Sequence, residues 1–508
     1  MASIKAPCFI LLVFLCLIGV LYFTIFTSAS EASAHYSIQI SHAQNNKTER
    51  IKPPALPDIS EYSVQNIRRR VPALSQEAQI VIRKMKDVRG FLPTHSLHEH
   101  YADRQERLDA KVILVKAGVV DIAAVHKAVG DRDYIIRHDK GYLLKVPLYI
   151  QSGAALVVQG EKQALRLSQQ PGVFIASRGD LYIVDTNITG WQVAQNKPAR
   201  FTNRDHFRPF LVFWDGSKTY IAGSRLTHLG YSAAKAYGLT FSTNGAFVKE
   251  NPDSPWPKGW LVENEFNDLY YGFYSHEAKD IAIIGNTYKD NIVYAIDPHD
   301  RSHNLIIANN ETTGTKIKHG IIASRSVHNS WIFNNRSHGN AGAGIMLERS
   351  STHNVVAHNE VYNNEDGISF YESGHNISWG NIVKDNRKNG FRIRNSQNIK
   401  LGGECMLGNG GYGLDVYSAD LSDHKRNLAL DPYEQNTSFN IEHSEFDQNM
   451  SGQIRVQNVT SARFTNIKAF RPGSAFITGD LHSENLKLYS AMTDPASTVV
   501  IEHKTISP

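Results

Sequence analysis

Apolar and polar residues alternate with a period of two along much of the chain, and Gly- and Asn-rich turns cut the alternation into short runs. Tyr149 to Val158 and Val173 to Val184 are early examples. A period of two places successive side chains on opposite faces of an extended backbone, so these runs predict strands. From about residue 280 the runs also recur: Gly320, Gly344, Gly367, Gly390 and Gly413 open similar blocks at intervals of 24, 23, 23 and 23 residues. Ile345 and Leu347 oppose Met346 and Glu348, and Phe391 and Ile393 oppose Arg392 and Arg394. A second series, Asn304, Asn329, Asn354, Asn376 and Asn398, keeps nearly the same period.

Equivalent strands at a fixed period describe a solenoid whose coils hydrogen-bond to one another at roughly 4.8 Å. The expected fold is all-β, a right-handed parallel β-helix with coils of about 23 residues. Inward Ile, Leu, Phe and Val make the core, and matched asparagines form ladders. Ser75 to Val88 and Asp121 to Val129 carry apolar residues at helical spacing behind plausible N-caps, which predicts short helices covering the N-terminal end. The organisation expected is a leader over 1–34, a polar and Pro-rich tether over 35–74, a helical cap over 75–135, the β-helix over 136–490 and a tail over 491–508.

Composition alters this picture little. The 508 residues are 41% apolar and 20% charged, which excludes a disordered or collagen-like chain. Lys and Arg number 54 against 49 Asp and Glu, and a net charge of +5 is too small to imply nucleic-acid binding through bulk charge. The uncharged stretch from Ala6 to Ser30, preceded by Lys5 and followed by Ala32-Ser33-Ala34, reads as an export signal cleaved before His35. The 19-residue run from Cys8 to Phe26 is also long enough to serve as an uncleaved anchor. With Cys8 and Cys16 in the leader, Cys405 is left without an intrachain partner after cleavage.

One coil breaks the pattern. After Ile292 to Ile296, where a turn is due, comes Asp297-Pro298-His299-Asp300-Arg301. Pro298 fixes its own φ and restricts Asp297, so a rigid Asp-x-His turn is expected, suited to acid–base work. Arg325 follows one repeat later and Tyr294 leads into the same turn, which makes Tyr294, Asp297, His299 and Arg325 a constellation. No dense acidic ligand cluster accompanies them, so no metal is expected.

These residues carry a resemblance. The run YAIDPHDRS (Tyr294 to Ser302), HGIIASR (His319 to Arg325) and HLGYSAAKAYGL (His228 to Leu239) closely resemble the periplasmic mannuronan C-5 epimerases of bacterial alginate biosynthesis. The resemblance implies a parallel β-helix that converts β-D-mannuronate to α-L-guluronate within the polymer without a cofactor. It further implies His299 as base, Arg325 as partner of the substrate carboxylate, Asp297 as an orienting or tuning group, and Tyr294 or a bound water as the acid. Arg301, Lys316, Lys318, Arg392, Arg394 and Lys235 are expected to contact an anionic polysaccharide. Periplasmic location and companions in an envelope export complex are expected too. A uronan lyase would begin with the same proton abstraction, and a non-catalytic polysaccharide-binding scaffold is the remaining alternative. A glycoside hydrolase is disfavoured because the turn shows no clear carboxylate pair.

Overall fold

The computed structural model describes residues 36–42, 50–85, 87, 110–138, 140–170, 172–243, 255–422, 427–429, 431–471 and 475–504. The leader lies outside the described residues.

Each regular coil consists of three short strands. In the coil that begins at Tyr294 they are Tyr294–His299, Ile306–Ala308 and Glu311–Thr313, and each pairs in parallel with its counterpart in the coils before and after. Three sheets therefore run the length of a parallel β-helix, as the periodicity predicts. Phe273, Ile296, Ile321, Ile345, Ile368, Phe391 and Leu414 stand in register on the first face and are fully buried. Burying each such side chain contributes about 1.5–3 kcal/mol. The periodic glycines sit where the backbone passes close to neighbouring side chains and backbone. A Cβ on Gly344 would lie 2.3 Å from Val361 Cγ1 and 2.7 Å from Asn364 Nδ2, so no larger residue fits.

Asparagine ladders hold the corners, though not wholly through the asparagines that mark the period. Asn264, Asn286, Asn310, Asn335, Asn359 and Asn381 are buried, and each Nδ2 donates to the next Oδ1 at 2.9–3.0 Å. In the Asn304 series, only Asn354 and Asn376 belong to a buried ladder, with a 3.2 Å bond between them. Asn304, Asn329 and Asn398 instead occupy left-handed turns, with φ of 56°, 50° and 54°. The position just before the buried one is left-handed, a conformation that favours Asn, Asp, His and Gly, so two adjacent Asn-rich positions merge into one series when read by spacing.

The ends differ from expectation. Asp121 caps the helix Ile122–Val129 by accepting from Ala124 N at 2.7 Å, and Ile122 and Val125 close the core. The helix expected over Ser75 to Val88 is instead the strand Gln79–Lys84, antiparallel to Lys111–Asp121. Its β-branched run Ile80-Val81-Ile82 favours an extended backbone once an edge is available to pair with. At the other end Tyr36–His42 and Ser461–Thr465 flank Ser497–His503, both antiparallel, so this stretch of the expected tail is part of the closing sheet. The helix Asn485–Thr493 adds Leu488 and Met492 to the core there.

The Pro-rich segment is not a free tether. Ile51 N donates to Glu442 Oε2 at 3.0 Å, and Leu56, Ile59 and Tyr62 lie on an outer row that includes Trp260, Trp331, Val355 and Trp379. The helix Val64–Arg70 follows, with Arg68 making two 2.7 Å bonds to Asp185 and Arg70 over the Trp260 ring at 4.2 Å. Prolines lack the N–H that would compete for strand pairing and favour an extended run, so the segment straps several coils together.

The ladder that starts at Asn264 ends on Glu404, whose oxygens accept from Asn381 N at 2.9 Å and Asn381 Nδ2 at 3.3 Å. Complete burial pushes this carboxyl up to about 8 from 4.5. A raised carboxyl stabilises the fold fully below its ordinary value and loses that contribution as pH rises through its folded value. Between about pH 4.5 and about pH 8, Glu404→Gln is expected to lose less thermal stability than the wild type, as read by melting temperature across that range. Parallel loss in both proteins would contradict the assignment.

Candidate active site

The strand Tyr294–His299 has six residues, whereas its successor Ile321–Ser324 has four. The Asp-Pro-His element expected in a turn is therefore the end of a strand, and the left-handed turn follows at Asp300 and Arg301. The extra length is paired on one side, where Tyr274, Ser275 and His276 meet Asp297, Pro298 and His299. On the other side only Ile296 and His299 find partners, in Ile321 and Ser324, because Pro298 lacks an N–H to donate. Alternation turns Ile296 and Pro298 inward and sends Asp297 and His299 to the outer face.

On that face the imidazole Nδ1 of His299 is hydrogen-bonded to Asp300 Oδ2. The His276 ring approaches the same carboxylate oxygen, with Nε2 3.8 Å from Asp300 Oδ2 and Nδ1 3.9 Å from Glu277 Oε2. Arg301 is ion-paired with Glu277 through Nη2 and bonds it through Nε at 2.9 Å. Arg325 Nη1 is 4.0 Å from Asp300 Oδ1, and Nη2 is 3.0 Å from Asp431 Oδ2. Tyr274 stacks obliquely beside His299 at 5.7 Å, and Lys235 Nζ lies 5.2 Å from the centre of the Tyr274 ring.

Burial decides the charges. Asp297 is 1% exposed, and desolvation, reinforced by Glu348 and Asp300 against the pull of His299, raises it to about 8. Burial would lower His299, but the hydrogen bond it donates to Asp300 and the charges of Asp297 and Asp300 outweigh it and raise the imidazole above its ordinary value. Asp300 falls to about 2: its own burial works against this, and His299, His276 and Lys235 overcome it. Burial lowers Lys235 to about 7 despite Asp300, Glu277 and Asp297 nearby, and burial with Lys235 lowers His276 to about 4.

Of the residues singled out by sequence, Asp297, His299, Arg301, Arg325 and Lys235 converge here. Tyr294 starts the same strand, stacks on His319 at 5.9 Å and packs over Ile322 and Met346 in the following coils. Lys316 bonds Asp268 at 3.2 Å, beside Arg208 and His228, before the strands of this face begin. Lys318 is exposed in the same turn. Arg392 and Arg394 project from this face three coils beyond Arg325, about 14 Å along the axis. Arg394 is held by Glu372 at 2.8 and 2.9 Å, and Arg392 lies between Asp366 and Asp415 at 3.4 and 3.5 Å. Asp300, His276, Glu277, Tyr274 and Asp431 escaped the sequence reading. The first three were within reach of it, since Asp300 adjoins the motif and His276-Glu277 lie one coil before His299-Asp300.

Comparison with known proteins fits this architecture. A family model described as periplasmic copper-binding protein (NosD) matches residues 257–377 and 350–447, the most regular coils. Among the described residues no group of three or more His, Cys, Asp or Glu is arranged to hold a metal ion. Mannuronan C5-epimerase of Pseudomonas putida is 38% identical over 83% of this chain and 82% of its own length. Mannuronan C5-epimerase AlgG of Azotobacter vinelandii is 36% identical over 93% of this chain and 90% of its own. The crystal structure of the periplasmic alginate epimerase AlgG superposes with a TM-score of 0.77 at 35% identity, covering 85% of this chain and all of that one. Fold and likeness together define a parallel β-helix isomerase. The chain belongs to the mannuronan C5-epimerase family.

Asp297 carries a test of the site's electrostatics. Because its carboxyl is raised from 3.8 to about 8, its stabilising contribution is complete below the ordinary value and fades as pH rises through the folded one. Asp297→Asn is expected to melt above the wild type near pH 8 and to lose this advantage toward about pH 4. A lower melting temperature for the variant at both ends would show that the carboxyl is not strained.

Proposed function

We propose that this protein, exported to the periplasm, converts β-D-mannuronate to α-L-guluronate within polymannuronate during alginate biosynthesis, with His299 as the base at C-5. The observation that carries the reading is the His299–Asp300 hydrogen bond beside Arg325 on the outer face of the coil. Removing hydrogen from C-5 of a uronate builds negative charge next to a carboxylate that is already an anion. A fixed guanidinium is the group that offsets this, because it pairs with the carboxylate and stabilises the enediolate without reorganising. Arg325 fills that role. Asp300 accepts from Nδ1 and so leaves Nε2 as the basic nitrogen, which makes Asp300 the orienting carboxylate, while buried Asp297 tunes the imidazole through space.

Inversion needs a proton delivered to the opposite side of C-5, from Tyr294 or a water. Burial and Asp297 raise the Tyr294 hydroxyl, so it is protonated and able to donate throughout the working range. Arg301 supplies positive charge at the reacting end, joined by Lys235 where the pH lies below about 7, and Arg392 and Arg394 supply it farther along the same face. A polymer laid across successive coils would meet them in turn, with Lys316 and Lys318 at the edge where the strands begin. Proteins of an export complex would receive the product.

His299→Ala and Arg325→Ala are each expected to reduce guluronate formation from polymannuronate by about a thousandfold or more, followed by proton NMR. Tyr294→Phe is expected to slow it, and an unchanged rate would leave water as the acid. Unsaturated chain ends in place of guluronate would mean a lyase. A base must be neutral to act, and His299 is raised above 6.5, so the acid limb of the rate profile is expected above that value. An acid limb at or below it would detach the limb from His299.

A further inference from the structure

Between the strands Phe391–Arg394 and Tyr412–Tyr417 the coil advances by 23 residues, whereas from Tyr412–Tyr417 to the next strand of that face it advances by 40. The insertion spans the turn between Tyr417 and Ser438. It is built at its base: Ala419 and Asn395 exchange two 2.8 Å hydrogen bonds, and the Tyr433 hydroxyl donates to Asp420 at 2.8 Å while accepting from Leu421 N at 2.8 Å.

Asp431, which belongs to the insertion, lies back along the solenoid. The turn it belongs to lies four coils beyond that of Arg325, about 19 Å along the axis. Even so, Asp431 Oδ2 is 3.0 Å from Arg325 Nη2 and 3.6 Å from Arg349 Nη1. Asp431 is 6% exposed, whereas the two guanidinium-bearing side chains are 38% and 33% exposed. Arg349 holds the same turn position one coil after Arg325, and both have left-handed backbones, with φ of 55° and 60°. One nearly buried anion thus bridges two neighbouring cations that remain open to solvent.

We infer that Asp431 is a positioning residue for the epimerisation: it clamps the guanidiniums of Arg325 and Arg349 side by side, so that a uronate carboxylate meets a preset cationic pair. The inference rests on the proposed role of Arg325. A long arginine on a turn samples many rotamers, and a carboxylate behind it selects the one that faces the substrate before the substrate arrives. Asp300, 4.0 Å from Nη1, flanks the same guanidinium, so Asp431 and Asp300 bracket it. Burial of Asp431 behind the two arginines keeps it from being displaced by the polymer, which separates a clamp from a plug.

The test uses the full-length enzyme on polymannuronate, with guluronate formation read by proton NMR. Asp431→Asn is expected to lower kcat/KM about tenfold or more, chiefly through kcat. Asp431→Glu, which keeps the charge, is expected to recover most of the loss. In a background carrying both Arg325→Lys and Arg349→Lys, Asp431→Asn is expected to add little, because its effect passes through the two guanidiniums. Wild-type kinetics for Asp431→Asn, no recovery in Asp431→Glu, or a full additional loss in the background lacking both guanidiniums would each overturn the inference. The same assays on Arg325→Ala keep the two readings apart. An inactive Arg325→Ala beside a fully active Asp431→Asn overturns only the clamp, and an active Arg325→Ala overturns the role of Arg325 itself.

Discussion

The parallel stacking of coils is the constraint from which the remaining structure follows. Every backbone group of a strand must meet its partner in the coils above and below, because an unpaired buried amide costs about 1–3 kcal/mol. Asparagines at the corners meet that demand where the chain turns, each amide donating to the next while its oxygen accepts two hydrogen bonds from the coil before it. An architecture fastened this way needs no disulfide, and Cys405 is free. It also needs closed ends, which the helix Ile122–Val129 and the antiparallel strands Tyr36–His42 and Ser497–His503 provide.

A rigid ladder makes the outward positions of one face a coordinate system for chemistry. Positions one coil apart are about 4.8 Å apart, close enough for charges to influence one another strongly where water is partly excluded. Successive coils put Glu277, Asp300, Arg325 and Arg349 at matching turns, and His276 and His299 at matching strand ends. The site is thus a column of charges in which two carboxyls behave oppositely. Asp300, bonded to His299, is held as an anion, and Asp297, buried and without such a bond, is pushed toward the neutral form. Their difference comes from hydrogen bonding and burial, since the two residues are three apart in one short segment.

Much of this was legible from spacing. Gly320 to Gly413 marked the coils because only glycine fits where the backbone presses on the core, and alternation within each block told inside from outside. The motif from Tyr294 to Ser302, with Arg325 one repeat later, led to the site because the period converts sequence distance into spatial adjacency. The same period holds for His276 and Glu277, which went unread because they lack a motif of their own. Ser75 to Val88 misled because apolar residues at helical spacing also satisfy a strand when a neighbouring edge is free. The Asn304 series misled because two adjacent corner positions both favour asparagine, one for its left-handed backbone and one for its amide.

The sequence by itself determined the repeat, the strand faces and the family resemblance, all of which depend on residues near one another or a fixed interval apart. What only the tertiary structure decided depends on contacts that keep no interval. The Pro-rich strap crosses an outer face to Glu442, and Lys235 enters the acidic cluster from an earlier turn. Asp431 reaches Arg325 across 106 residues. A loop's path is set by what it packs against rather than by its own pattern, and the state of a buried charge is set by neighbours that the loop brings to it.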